Sequence, residues 1–450
     1  MGGEGWRTLP FDKAVIMNPP VHLERGEMYP FVDMQAVDPG SCRVGPSEHR
    51  FFKGGGSRFV HGDTLMARIT PCLENGKIAR YAAPDGEGAG HGSTEFIVIR
   101  GRPNVTDNEF AFYLTKWDGV RQYCISQMTG SSGRQRVPTS ALSHCEVTIP
   151  PLKEQQAIGC ILGTLDDKIE LNRRMNKTLE EMARAIFKSW FVDFDPVRAK
   201  AAVRRAHPSW TNEQISRVAC PNLKPEIAAL FPDSFEDSEL GEIPKGWKVG
   251  TLAEACEKPQ YGFTASANNE PIGPRLLRIT DINKADWIDW EAVPYCSIES
   301  SQYQKYVLRR GDIVIARMAD PGHGALIEED VDAVFASYLI RFRPKAYMFQ
   351  RYLQHWLRSD FYWHLVESRQ SGTTRANLNA QVLGRFAILL PPSELLEEFT
   401  RIAGALRNDL VANVHQSRTL AALRDVLLPN LISGELRVPD AERFLKEKTI

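Results

Sequence analysis

The sequence predicts an α+β chain in which two mixed, β-rich globular copies are separated by two long helices forming an antiparallel coiled coil, the whole an internal pseudo-two-fold duplication. Three observations predict it. "GDTLMARIT" (62–70) returns as "GDIVIARMA" (311–319). Each copy closes on a Pro-Pro pair, at 150–151 and 391–392. After each pair, apolar residues recur at alternating steps of four and three, the spacing of one helix face.

A chain of 450 residues exceeds what a single hydrophobic core organises, so two or three domains are expected. The repeat supplies two of them. Arg317 follows Arg68 by 249 residues, and "ITDI" (279–282) follows "FVDM" (31–34) by 248. Gly246-Trp247 follows Gly5-Trp6 by 241, as "GTTRANL" (372–378) follows "SSGRQRV" (131–137) and "LPPS" (390–393) follows "IPPL" (149–152). A drift of this size between flanks is what loop insertions produce. The period is far too long for a solenoid.

Beyond the first Pro-Pro the seam runs through Ile158, Leu162, Leu165, Ile169, Asn172, Asn176, Leu179, Ala183 and Ile186. The same offset of 241 gives Phe399, Ala403, Leu406, Leu410, Asn413, Ser417, Leu420, Arg424 and Leu427. The polar interruption recurs at one place, so Asn172 and Asn413 are expected to pair with each other or with Asn176 and Ser417 where the helices cross. Polar residues in an apolar seam cost stability and fix register. The alternative is two separate amphipathic helices, each packed on its own domain. About 30 residues at 1.5 Å each would make a rod of roughly 45 Å.

Within the copies, "TLMARI" and "IVIARM" read as strands launched by Gly-Asp turns, with "EFIVIR" (95–100) and "YLIRFR" (338–343) as further strands. "FAFYLTKW" (110–117) and "QRYLQHWL" (350–357) read as helices, and about 193–244, rich in Pro, Ala and charge, as a solvated connection.

Composition excludes several classes. No apolar run is long enough to cross a bilayer, and the start lacks the pattern of a secretory signal, so the cytoplasm is expected. The eight cysteines form no C-x-x-C pair and no zinc-spaced Cys/His cluster, so reduced, mostly buried thiols and no bound metal are expected. A net charge of −1 announces no nucleic-acid binder, and any such role needs cations gathered on one face.

Three motifs resemble active sites and fail on chemistry. "MNPPV" (17–21) ends in Val21 where a base-stacking ring would be needed. "GEGAGHG" (86–92) lacks phosphate-loop spacing and reads as a flexible loop. His61, Asp63 and Cys72 lie close together, but the second copy has Arg310, Asp312 and Pro321, and a catalytic triad is not expected in one copy only. No catalytic residue is assigned. What repeats is arginine. Arg68 and Arg317 end their strands, on the face of Met66 and Ile315, while Arg134 and Arg375 sit among Ser, Thr and Gly in corresponding loops. Guanidinium forks suit phosphate oxygens and the O6/N7 edge of guanine; the alternative is internal salt bridging.

Here the residues resemble a known family. The stretch 149–197, "ITPCLENGKIA" (69–79), "LGEIPKGWKV" (240–249), "RLLRITDI" (275–282), "GDIVIAR" (311–317) and "LLPNLISGEL" (427–436) are similar to the specificity subunit of type I restriction-modification systems, and the likeness spans nearly the whole chain. It implies target-recognition domains at 1–150 and 240–391, a conserved helical spacer plus linker at 151–239 and a second spacer at 392–450. It implies a non-catalytic DNA-address subunit of a phage-defence complex, reading a bipartite, asymmetric duplex target. Two methyltransferase subunits would be carried, and restriction subunits recruited. S-adenosylmethionine, ATP and magnesium belong to those partners, with no cofactor on this chain. Candidate DNA contacts are Arg68, Lys77, Arg134, Gln135, Arg136, Arg317, Arg375 and Asn377. A departure is "SELLEEF" after the second Pro-Pro, where the family has Glu-Gln-Gln. A rod of roughly 45 Å matches about 13 base pairs at 3.4 Å each. Two other classes compete: a coiled-coil scaffold whose heads bind protein or RNA, and a hydrolase using Cys72 or His61.

Overall fold

The computed structural model describes residues 5–131, 133–283, 287–369 and 378–447. The chain divides into two units, one of residues 1–176 with 411–450, the other of 177–410. It is mixed α+β, with two helices of 40 and 41 residues, Leu152–Phe191 and Ser393–Ser433.

In the first unit a five-stranded sheet has the order Val15–Met17, Phe96–Gly101, Thr64–Ala67, Ile78–Tyr81, Arg43–Val44. Side chains alternate across a strand. Met66, Ile78, Ile97 and Ile99 pack on one face with the helix Asn108–Lys116, while Leu65, Ala79, Phe96 and Val98 pack on the other with Val32, Val44 and Phe59. Both faces are buried, which explains the unbroken apolar run of "TLMA". Asp107 starts the helix by accepting from the Glu109 and Phe110 amides. A second sheet, Glu48–Phe51, Met28–Val32, Ala89–Gly92, Ser57–Val60, flanks the cleft described below. Ala89–Gly92 lies in the stretch read as a flexible loop. Its glycines let sheet backbones close in, since a Cβ on Gly92 would stand 2.6 Å from the Val32 carbonyl.

The second unit has the order Gln260–Tyr261, Leu339–Phe342, Ile313–Ala316, Gly324–Leu326. Ile315 pairs with Ile340 as Met66 pairs with Ile97. Lys248–Thr251 pairs with Ala387–Leu390, Val249 opposite Leu389, as Thr8 stands opposite Thr148. The helices Met348–Trp356 and Asp360–Ser368 cover the sheet as Asn108–Lys116 and Asp118–Ser126 do in the first unit.

The repeated Gly-Asp turn has a specific cause. Gly62 and Gly311 hold φ of +86° and +92°, the left-handed region that favours glycine. The aspartate that follows is buried, so its charge needs a partner. Asp63 accepts the Val60 amide at 2.8 Å and both guanidinium arms of Arg100 at 2.6 and 2.7 Å. Asp312 does the same with Arg309 N at 2.9 Å and Arg343 at 2.6 and 2.8 Å.

The long helices run antiparallel within each unit. In the first, Ile158, Leu162, Leu165 and Ile169 share a core with Leu420, Leu427 and Leu431. Asp166, buried, accepts from Arg424 at 2.6 Å and from the Tyr113 hydroxyl at 2.8 Å. Asn172 donates to Gln416 at 2.9 Å and Ser417 at 3.2 Å, and Asn413 donates to Asn176 at 3.0 Å. In the second unit Phe187, Trp190 and Phe191 pack on Phe399, with Ala403 in the same core. Leu410 is buried, while Leu179, Ile186 and Leu406 are half-buried; Phe187 and Arg407 take the inner positions beside the latter two. The large rings and the ionic cluster around Arg407 turn the seam by one residue there.

The stretch read as a solvated connection is folded. Helices Asp195–Ala206, Asn212–Ala219 and Pro225–Ala229 precede the hairpin Phe235–Ser238 with Gly241–Pro244. Lys200 is fully buried and donates to the Ala228 and Phe231 carbonyls at 3.0 and 2.6 Å. Val197, Ile227 and Phe231 join the second unit's core; short helices with one apolar stripe look charged in bulk composition.

Arg407 grips both oxygens of Glu328 at 2.9 Å, and Arg351 and Glu180 complete the cluster. Burial pushes the Glu328 carboxyl up, but Arg407 and Arg351 outweigh it and hold it below its ordinary value. Glu328→Ala is therefore expected to cost about 3–5 kcal/mol, read from urea midpoints, because it strands buried cations. A carboxyl lowered by folding contributes fully above the unfolded value of about 4.3, and its contribution fades as pH drops through the folded value. The midpoints of wild type and variant should separate near neutrality and approach each other in acid.

Candidate nucleic-acid interface

Arg68 and Arg317 occupy the same point of the same strand in the two units, one residue past Ala67 and Ala316. The backbone of each is pinned on both sides. Arg68 donates its amide to Glu95 O at 2.9 Å, and its carbonyl accepts the Val137 amide at 2.9 Å. Arg317 donates to Tyr338 O at 3.0 Å and accepts from the Leu378 amide at 3.1 Å. In both, Nε is buried and has no hydrogen-bond partner among the described residues.

The strand ends before Arg68, so its side chain does not continue the face of Met66. It lines a cleft of about 620 Å³ instead, walled by Asn18–His22, Gly56–Arg58, Thr94, Phe96 and Val98. Asn18 holds φ of +47° and accepts the Val98 amide at 3.0 Å, which turns the two prolines into the wall. Gly56 has no room for a side chain, because a Cβ would meet Gly92 O at 2.4 Å. Arg58 lies over the Phe52 ring at 4.9 Å and donates to Gly54 O at 3.3 Å. The sequence alone assigns no binding role to Arg58 or to the "NPPV" loop; the Gly-rich "KGGGSR" (53–58) is the signal it offers. In the second unit the Arg317 guanidinium lies 5.3 Å over the Tyr261 ring, whose hydroxyl accepts the Ala380 amide at 3.0 Å.

The other candidates divide. Arg136 is spent on Glu95, which it holds through both oxygens at 2.9–3.0 Å from Nε. The Arg136 hydrogen bond, against burial and with the charges of Arg136 and Arg68, keeps the Glu95 carboxyl below its ordinary value. Lys77 donates to Met34 O at 2.7 Å, and Gln135 presents its carbonyl to the Thr70 amide at 3.0 Å. Arg134 is exposed and directly follows Gly133, which, like Gly130, holds a positive φ. Arg375 and Asn377 lie outside the described residues.

Asp63 is committed to Arg100, and His61 Nδ1 accepts the Ala83 amide at 3.2 Å, so these two form no relay toward Cys72. Among the described residues no group of three or more His, Cys, Asp or Glu side chains is placed to hold a metal, and no helix is long and apolar enough to cross a membrane. All eight cysteines are free thiols, six of them buried; burial pushes Cys124 and Cys256 up to about 12.

The family described as the type I restriction modification DNA specificity domain matches residues 72–181, which include the Arg134–Arg136 loop and the start of the first long helix. The HindI type I restriction enzyme specificity subunit of Haemophilus influenzae is 28% identical over 420 residues, covering 83% of this chain and 86% of the relative. The EcoAI specificity subunit of Escherichia coli is 24% identical over 456 residues, covering 87% and 76%. The crystal structure of the type I restriction-modification system S subunit from M. genitalium aligns with a TM-score of 0.52 at 13% identity, over 95% of this chain and 96% of that one, a likeness of fold. The resemblance read from the sequence is thus borne out: the chain is similar to type I restriction enzyme specificity subunits over most of its length.

The geometry separates fold-keeping cations from available ones. Lys77→Ala should cost about 1.5–3 kcal/mol of stability, the worth of a hydrogen bond from a charged group, and leave duplex affinity within about twofold. Thermal melts and fluorescence anisotropy on one preparation check both.

Proposed function

We propose that this chain is the DNA sequence-specificity subunit of a type I restriction-modification complex, recognising a bipartite, asymmetric duplex target. The observation that carries the reading is the duplicated arginine: Arg68 and Arg317, at one strand position, backbones pinned, Nε unpartnered. A salt-bridging arginine would have its carboxylate, as Arg100 and Arg343 do. A cation held by its backbone with donors to spare is prepared for an outside acceptor.

In this reading the two units are tandem copies of one reader, a view supported by their matching sheet orders and strand registers. The long helices are an antiparallel coiled coil whose Asn172–Asn413 layer fixes register. They space the readers and carry two methyltransferase subunits, and restriction subunits join the assembly. Divergence outside the shared strands makes the half-sites unlike. The chain itself is non-catalytic and cytoplasmic. Adenine methylation requires an everted base, which falls to the methyltransferase with S-adenosylmethionine, while ATP and magnesium serve the restriction subunits.

The test uses the chain purified with its methyltransferase partner. Arg317→Ala is expected to weaken duplex binding about tenfold or more while the complex still co-purifies. Leu165→Asp, which puts a carboxylate in the buried seam, is expected to abolish co-purification. Tight binding of single-stranded RNA in preference to duplex DNA, or unchanged binding in both variants, would replace this reading with that of a scaffold.

A further inference from the structure

In the first unit Arg68 lines a cleft whose chemistry narrows what it meets. We propose that this cleft is a socket for one phosphodiester of the DNA backbone, with Arg68 as its phosphate ligand. The inference rests on the DNA-binding reading above and deepens it, by separating anchoring from sequence reading within the first unit.

Shape comes first. Base edges lie at the floor of a groove and are reached by elements that project from a protein. Phosphates stand out from the duplex, and a recess suits a group that stands out. A cleft of about 620 Å³ is much larger than a lone phosphate needs, which leaves room for the flanking sugars. Its wall at Pro20 and Val21 is apolar, as a sugar face requires, while Ser57 and Thr94 bring hydroxyls.

Charge follows. Glu95 is the acidic group beside Arg68, and Arg136 already holds both its oxygens. One carboxylate facing two guanidiniums leaves a unit of positive charge, and Arg68 carries the buried donor that has no partner among the described residues. Arg58 adds a second cation to the same wall. Gly56 lets the backbone of that wall close onto the sheet, since a Cβ there would stand 2.4 Å from Gly92 O. Arg317, by contrast, lies against the Tyr261 ring, 5.3 Å from its centroid.

A phosphate contact and a base contact make different predictions. Losing a phosphate ligand weakens binding uniformly across sequences and lowers the salt slope by about one, whereas losing a base contact relaxes specificity at one position. The probes are two duplexes, one selected from a random pool by the complex with its methyltransferase and one unrelated, each titrated over a range of salt. Arg68→Ala is expected to lose roughly tenfold on both, keep their ratio within about twofold, and drop the slope by about one. Thr94→Asp, an exposed position that adds a carboxylate to the cleft, should reproduce the uniform loss. A neutral methylphosphonate scanned along the selected duplex should find one phosphate whose replacement weakens wild type and leaves Arg68→Ala unaffected.

A loss confined to the selected duplex would make Arg68 a base reader and overturn the socket. Unchanged binding in both variants would overturn it too. Inorganic phosphate alone, followed by 31P line broadening, separates the other source of the same chemistry: Arg68-dependent phosphate binding with unchanged duplex affinity would mean a free-anion site and no backbone anchor. If wild type binds neither duplex, the DNA-binding reading falls and the socket with it.

Discussion

The structure depends on buried charge placed where a globular sheet's helices meet the long helices. Asp166 lies in the seam of the first unit and is satisfied from two sides, by Tyr113 of the sheet-covering helix and by Arg424 of the second long helix. In the second unit Arg407 does the converse, reaching Glu328 in the globular part and Glu180 on the first long helix. Such groups contribute little net stability over an apolar packing of the same shape, but removing one partner strands a charge in low dielectric. A one-residue slip would strand several at once. With the Asn172 and Asn413 contacts, they fix which turn of one helix meets which turn of the other, where leucine packing alone would tolerate neighbouring registers.

On that frame the two units share what the sheet needs and differ in what a ligand would meet. The Gly-Asp turn, its buried aspartate, the paired arginine and the pinned backbone at Arg68 and Arg317 recur almost atom for atom. Among the described residues, the surroundings of the two arginines differ. One faces a cleft with a glycine-rich wall, the other an aromatic ring. Function on a conserved scaffold resides in the loops, which vary without disturbing the core.

The sequence made local and periodic features legible. Strands buried on both faces announced themselves as apolar runs, the turn by its glycine, and the helices by a seam strong enough to place Ile158, Leu162, Leu165, Phe399 and Leu427 in cores. Partners distant in sequence were not legible. Nothing in "GD" names Arg100 or Arg343, and nothing near Glu328 points to Arg407, 79 residues on. Among the candidate contacts, Lys77 and Arg136 carry the right charge yet serve the fold, because an arginine's sequence neighbourhood does not say whether a carboxylate will reach it. The cleft is illegible for the same reason, being assembled from four separate segments of chain. The helical insert at Asp195–Ala229 was hidden by its own surface charge.

The central claim is that one chain carries two unlike readers of DNA at a fixed separation. The measurement that meets it most directly is to co-express the chain with its methyltransferase partner in a host lacking adenine methylation and to map the modified adenines across the genome. One motif of two dissimilar half-sites with a constant spacer, adenine modified in each half, is the predicted result. An intact complex that leaves the genome unmodified, or modifies a single continuous site, would contradict it.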